Sequence, residues 1–221
     1  IAQCLVGSEM CIRDRLWRSE EDRYGHIYTV PDGLMVKGVY YRTDWAEEAG
    51  LDLDPSKGWD YDDYFDAVAK LTNKDEKHYG ASYRGARGAL DPLLVYLQSF
   101  TDGNTYDQEG NILINSDECL EAFKKWTDVY LNGYAPEDAI NWGFTEMVDN
   151  FTGGLTGTLI NDSEVLPTCA NNMEEGTWGV MPIPKSTKDG KIYNTINAPY
   201  AYSISGNSCL LYTSDAADDL T

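Results

Sequence analysis

Residues 82–88 read Ser-Tyr-Arg-Gly-Ala-Arg-Gly, setting Arg84 and Arg87 beside Tyr83 in a chain of 37 acidic and 17 basic residues. A guanidinium carries a fixed fork of donors, so each arginine can grip a pair of hydroxyls or a carboxylate. The plainer use of the pair is to neutralise surface acids, and the spacing does not choose between the two. A second polar group is Asn161-Asp162-Ser163-Glu164, where Asp162 and Glu164 can hydrogen-bond a ligand while Ser163 caps a following helix with acid in its first turn. Trp142 is either a stacking platform in a loop or a core side chain packing the next helix. Tyr200 and Tyr202 alternate along a strand and so share one face. Asp32 is a weaker candidate, because Asp32-Gly33 also makes an ordinary turn. Aromatic faces beside planar polar groups are what a sugar needs: rings for its C–H side, and Asp, Asn and Arg for its hydroxyls.

Other chemistries find less support. There is no Gly-x-Ser-x-Gly, His-Glu-x-x-His or P-loop. His26 and His78 lie in linking segments without a nucleophile nearby. The stretch from Asp102 has the look of a calcium loop, but its sixth position is Asp107 instead of Gly and its twelfth is Leu113. No Cys-x-x-Cys or Cys/His cluster is present, so neither metal nor cofactor is expected. A net charge of −20 repels nucleic acid and anionic headgroups. No apolar run approaches the ~20 residues that span a bilayer. The pair Asp162/Glu164 has the types for acid–base hydrolysis of a glycoside, although so acidic a chain contains many such pairs.

The elements that must position these residues follow from local pattern. Val36–Tyr41 is a buried strand, and a short helix follows, capped by Asp44 and ended by Gly50. Asp60 caps a helix whose Tyr61, Tyr64, Phe65, Val68 and Leu71 form one apolar face. A short strand leads into the Arg84–Gly88 loop. Asp91 caps the next helix, with Pro92 at its first position. A hairpin turns at Glu109-Gly110, and Ser116 caps a helix stopped by Gly133. Another helix carries Phe144, Met147, Val148 and Phe151 on one face. Strands are expected at 156–161 and 195–205 and within 177–184, where a proline-fixed stretch follows the strand, with a proline-bearing helix over 163–173. Strands alternating with helices give an α/β class with a mostly parallel sheet. Trp45, Trp59, Trp126 and Trp178 sit in apolar patterns and are structural.

The two ends read differently from the rest. Codons for Met10–Arg15 can be written ATG TGT ATA AGA GAC AG, whose complementary strand encodes Cys-Leu-Leu-Tyr-Thr, the string at 209–213. Both ends resemble translated sequencing adapter, so residues 1–15 and 209–221 are expected to be non-native. That leaves Cys119 and Cys169, whose pairing the sequence leaves open.

Tyr28-Thr-Val-Pro31, Tyr40-Tyr-Arg-Thr-Asp44, Glu48-Ala-Gly-Leu51, Trp59-Asp60 and Lys70-Leu-Thr72 follow one another in order. With Tyr130–Asp138, 144–162 and Trp178–Lys185, they resemble the extracellular solute-binding proteins of bacterial ABC sugar importers. The resemblance covers residues 24–208. It implies an α/β, two-lobed, type II periplasmic-binding-protein-like fold, incomplete at both ends, whose lobes close on a ligand in the cleft. It divides the chain into a partial first lobe at 16–78, a second lobe at 79–193 and a return crossing at 194–208. It implies a monomer that binds a sugar, oligosaccharide or polyol and delivers it to ABC permease subunits. Such a protein works outside the cytoplasm, free in a periplasm or lipid-anchored at the outer face of the membrane. The loop at Tyr83–Arg87 would face the cleft. Many members have Asn-Gly-x-Trp where this chain has Asn161-Asp162-Ser163-Glu164, so the bet there moves from stacking to hydrogen bonding. The rivals are a secreted carbohydrate-active enzyme, such as a glycoside hydrolase, and a surface-binding protein without a transport role.

Overall fold

The computed structural model describes residues 18, 21–22, 24–31, 35–194, 196–197, 200–203 and 205. Two compact units divide the chain, one of residues 1–35 with 196–221 and one of residues 36–195. In the first, β1 (Val30–Pro31) pairs antiparallel with β7 (Ala201–Tyr202), placing Val30 opposite Tyr202. Of the strand expected over 195–205, the described residues include β6 (Ile196–Asn197) and β7.

The second unit is built on a sheet containing β2 (Met35–Arg42), β3 (Tyr79–Ala81), β4 (Thr156–Asp162) and β5 (Trp178–Pro182). Their order is β3-β4-β2-β5. β3 runs parallel to β4, and β2 runs antiparallel to both β4 and β5. The sheet is therefore mixed, where the alternation of strands and helices had suggested a mostly parallel one. Alternation fixes direction only for consecutive strands that end up as neighbours. β3 and β4 are such a pair, whereas β2 takes neighbours from far along the chain.

Six helices cover the sheet: α1 (Thr43–Glu48), α2 (Tyr61–Lys70), α3 (Leu90–Gln98), α4 (Asp117–Leu131), α5 (Phe144–Thr152) and α6 (Leu166–Asn172). The local signals explain their starts. The Asp60 side chain accepts from the Asp62 and Asp63 amides, and the Asp63 side chain accepts from the Asp60 amide, a reciprocal capping box. Ser116 Oγ accepts from the Cys119 amide. Asp44 and Asp91 lie inside the first turns of α1 and α3 and cap neither helix.

Side-chain alternation along β2 feeds two cores. Val39 and Tyr41 join α2, α3 and α4 in the larger one, with Trp45, Trp59 and Trp126. Tyr40 joins Leu159, Met147, Val148, Phe151 and Cys169 in the other, against which Trp178 packs. Because α2 and α4 share the larger core, residues on both sides of position 78 belong to one unit. Among the described residues no helix is long and apolar enough to cross a membrane.

Cys119 and Cys169 are free thiols buried in different cores. Burial pushes the Cys169 thiol up to about 11. A buried, protonated thiol is a poor nucleophile. In the folded protein both cysteines should resist iodoacetamide over hours. In denaturant, without added reductant, peptide mass mapping should find both alkylated. A disulfide between them would leave both unmodified until reduction.

Candidate functional site

In α/β sheets, ligands collect at the carboxyl ends of parallel strands. β3 and β4 form the parallel pair, with Ala81 aligned to Thr158. Tyr83 and Arg84 follow β3 closely, and Asn161 and Asp162 end β4. The start of β2 lies at the same edge, with Lys37 opposite Asp162. Tyr83, Arg84 and Arg87 therefore share an edge of the sheet with Asp162 and Glu164.

The arginine loop is held by backbone. Gly85 N–H donates to the Ala139 carbonyl at 3.1 Å, and Ala86 N–H donates to the Trp142 carbonyl at 3.0 Å. This fastens the loop to the segment that opens α5. Arg84 Nε donates to the Arg87 carbonyl at 2.8 Å, and its guanidinium lies 5.9 Å from the centre of the Phe144 ring. Gly88, at φ +90°, leaves the room the guanidinium fills: a Cβ there would stand 2.3 Å from Arg84 Cζ. Tyr83 is half-buried against Trp126 and Tyr130. Beneath Tyr83 and Arg84 is a cavity of about 20 Å³, reached also by Tyr64, Ser82, Trp126 and Met147. That is room for a water and not for a pyranose, so a sugar met by this loop would lie over it.

The other anticipated residues take different places. Trp142 is 3 % exposed, packs with Ala135 and Ala139, and donates through Nε1 to Asp138 at 3.1 Å. It is a core side chain and offers no open face. Phe144 does so instead: it was assigned to the apolar face of α5 but is 37 % exposed, while Met147, Val148 and Phe151 are buried. Glu164 is exposed, and Ser163 belongs to a single 3-10 turn over 163–165 with no capping hydrogen bond. Tyr200 and Tyr202 are both exposed and belong to the first unit. Asp32 lies outside the described residues.

Asp162 is engaged within the protein. Lys37 Nζ donates to its two carboxylate oxygens at 2.9 and 3.0 Å. Lys37 also meets Asp91 Oδ2 at 3.0 Å, and its side chain is fully buried. The Tyr40 hydroxyl donates to the Asp162 carbonyl at 2.9 Å. Burial, aided by Cys169 and Asp162, pushes the Tyr40 phenol well above its ordinary value, so it remains a donor. The lysine escaped attention although its signal was present: it alternates with Val39 and Tyr41 and so points inward. Next to this cluster, Asn161 Oδ1 accepts from the Asp162 amide, while its buried Nδ2 has no partner among the described residues. Among the described residues no group of three His, Cys, Asp or Glu could hold a metal.

Residues 11–208 match a protein family described as bacterial extracellular solute-binding protein. The chain belongs to that family. The lactose-binding protein of Rhizobium radiobacter is 22 % identical over 197 residues, covering 88 % of this chain and 43 % of that protein. Among solved structures, maltose-bound MalE3 of T. maritima superposes with a TM-score of 0.74 at 26 % identity, covering 89 % of this chain and 50 % of that one. An ABC transporter solute-binding protein from Agrobacterium vitis S4, with bound D-mannitol, gives 0.71 at 22 %, covering 86 % and 45 %. The chain has their α/β, periplasmic-binding-protein fold and spans about half the length of the relatives it matches. The family is one of extracellular proteins.

Proposed function

We propose that this chain is part of the substrate-binding component of a bacterial ABC importer and binds a carbohydrate without transforming it. The observation that carries the reading is the family match over residues 11–208. The named relatives are a lactose-binding protein and structures with maltose and D-mannitol. In this chain the support is local: a backbone-fastened loop with Arg84 and Arg87, the exposed Phe144 ring, and the edge shared by β3 and β4. Guanidinium forks suit vicinal hydroxyls, and an aromatic ring suits the C–H face of a sugar. The component hands its ligand to permease subunits and works outside the cytoplasm, free or lipid-anchored.

The test is thermal unfolding with a panel of sugars and polyols, followed by chromatography of the recovered ligand. One ligand at a hundredfold its Kd should add about 2.7 kcal/mol, raising Tm by about 5–10 °C, and should come back unchanged. Turnover of the ligand would replace this reading with an enzyme. A silent panel would favour surface binding without transport.

A further inference from the structure

Arg84 and Arg87 form no ion pair among the described residues, in a chain carrying −20 charges. Three acids on the adjoining segments have other partners within the protein. Asp91 is held by Lys37 at 3.0 Å. Asp138 accepts from Trp142 at 3.1 Å. Glu146 accepts from the Gly143 amide at 2.9 Å. The loop therefore carries two arginines without an ion pair among the described residues. The starts of two helices adjoin it. α3 begins at Leu90, two residues after Gly88, and α5 begins at Phe144, whose ring meets Arg84. Helix starts favour negative charge. Arg84 is also oriented in advance: Nε is spent on the Arg87 carbonyl and its plane rests over Gly88. A guanidinium fixed in this way loses little freedom when it binds a planar or tetrahedral anion.

Resting on the carbohydrate reading above, we infer that the sugar this loop selects is anionic. Its pyranose would carry a carboxylate or phosphate that Arg84 and Arg87 receive, while its C–H face lies near Phe144. Neutral sugars and polyols would bind more weakly, since two arginines without an ion pair would meet no charge.

The probes are D-glucose and D-galactose, the matching D-glucuronate and D-galacturonate, and D-glucose 6-phosphate. Each is titrated into the ¹⁵N-labelled chain and followed by amide shifts at 83–88 and 143–146. Expected is at least tenfold tighter binding of an anionic sugar than of its neutral parent. That preference should weaken as salt is raised, and should fall towards one in Arg84→Gln/Arg87→Gln. Uronate against phosphate tells which anion is preferred. Equal or better binding of the neutral parents would overturn the inference and leave the carbohydrate reading standing. A preference that survives the double substitution would overturn the assignment to this loop. Binding of neither class would overturn inference and carbohydrate reading together.

Discussion

Lys37→Met should cost about 3–5 kcal/mol in urea unfolding, although methionine keeps nearly all of the lysine stem. The lysine ammonium is buried between the two oxygens of Asp162 and Asp91 Oδ2, all at 2.9–3.0 Å. Removing it leaves the Asp162 carboxylate, 7 % exposed, without its cation. Asp91 suffers less, since its side chain is 36 % exposed and water can take over. The loss should therefore be recovered largely by neutralising Asp162 as well. Lys37→Met/Asp162→Asn is expected to be more stable than Lys37→Met alone, so the two changes combine far from additively. Equal stability of the single and double variants would mean that Asp162 gains little from Lys37. The outcome also bears on ligand binding: a carboxylate that anchors the first turn of α3 through a shared lysine serves the site by fixing its frame.

The legible parts of this molecule were those set by neighbours in sequence. Asp60 with Asp63, and Ser116 with the Cys119 amide, act within one helical turn, and the starts of α2 and α4 could be read directly. The loop at 84–88 was readable because its two glycines interrupt any strand or helix pattern. What failed depended on distant partners. Asp91 resembles a helix cap, yet its oxygen goes to Lys37, more than fifty residues away. Sheet order placed β2 between β4 and β5, which alternation cannot foretell. Phe144 fits the helical period of Met147, Val148 and Phe151, but the first turn of α5 projects past the core and leaves its ring open. Trp142, just before that turn, is drawn under the loop that it appeared to decorate. Aromatic type alone could not tell the two apart.

Gly80→Ala should be the most disruptive single-methyl change in the second unit, and it should act on the binding loop as well as on stability. β3 lies so close to α2 that a Cβ on Gly80 would stand 1.8 Å from the Val68 carbonyl oxygen and 2.6 Å from its carbon. Both are backbone atoms of a packed helix, so no rotamer change relieves the clash. The strand is also tied in place: Gly80 N–H donates to Thr72 Oγ1 at 2.9 Å, Thr72 Oγ1 donates to the Val68 carbonyl at 2.9 Å, and Thr158 Oγ1 donates to the Gly80 carbonyl at 2.7 Å. Making room requires β3 to withdraw from α2 and break some of these bonds. Overpacking of this kind costs about 1–3 kcal/mol or more. The loss of unfolded-chain freedom on replacing glycine returns only about 0.4–1 kcal/mol, so the net sign is destabilising. Gly157→Ala is the control, because its Cβ would meet Trp45 and Leu71 side-chain atoms at 3.1–3.2 Å, which can shift by tenths of an ångström. Its cost should sit at or below the lower end of that range. Tyr83 and Arg84 continue directly from β3, so a displaced strand carries the loop with it. In Gly80→Ala, ligand affinity should fall even at temperatures where the protein stays folded, whereas Gly157→Ala should keep it. Equal stability of the two variants would show that α2 yields to β3, and that the tight packing does not set the position of the arginine loop.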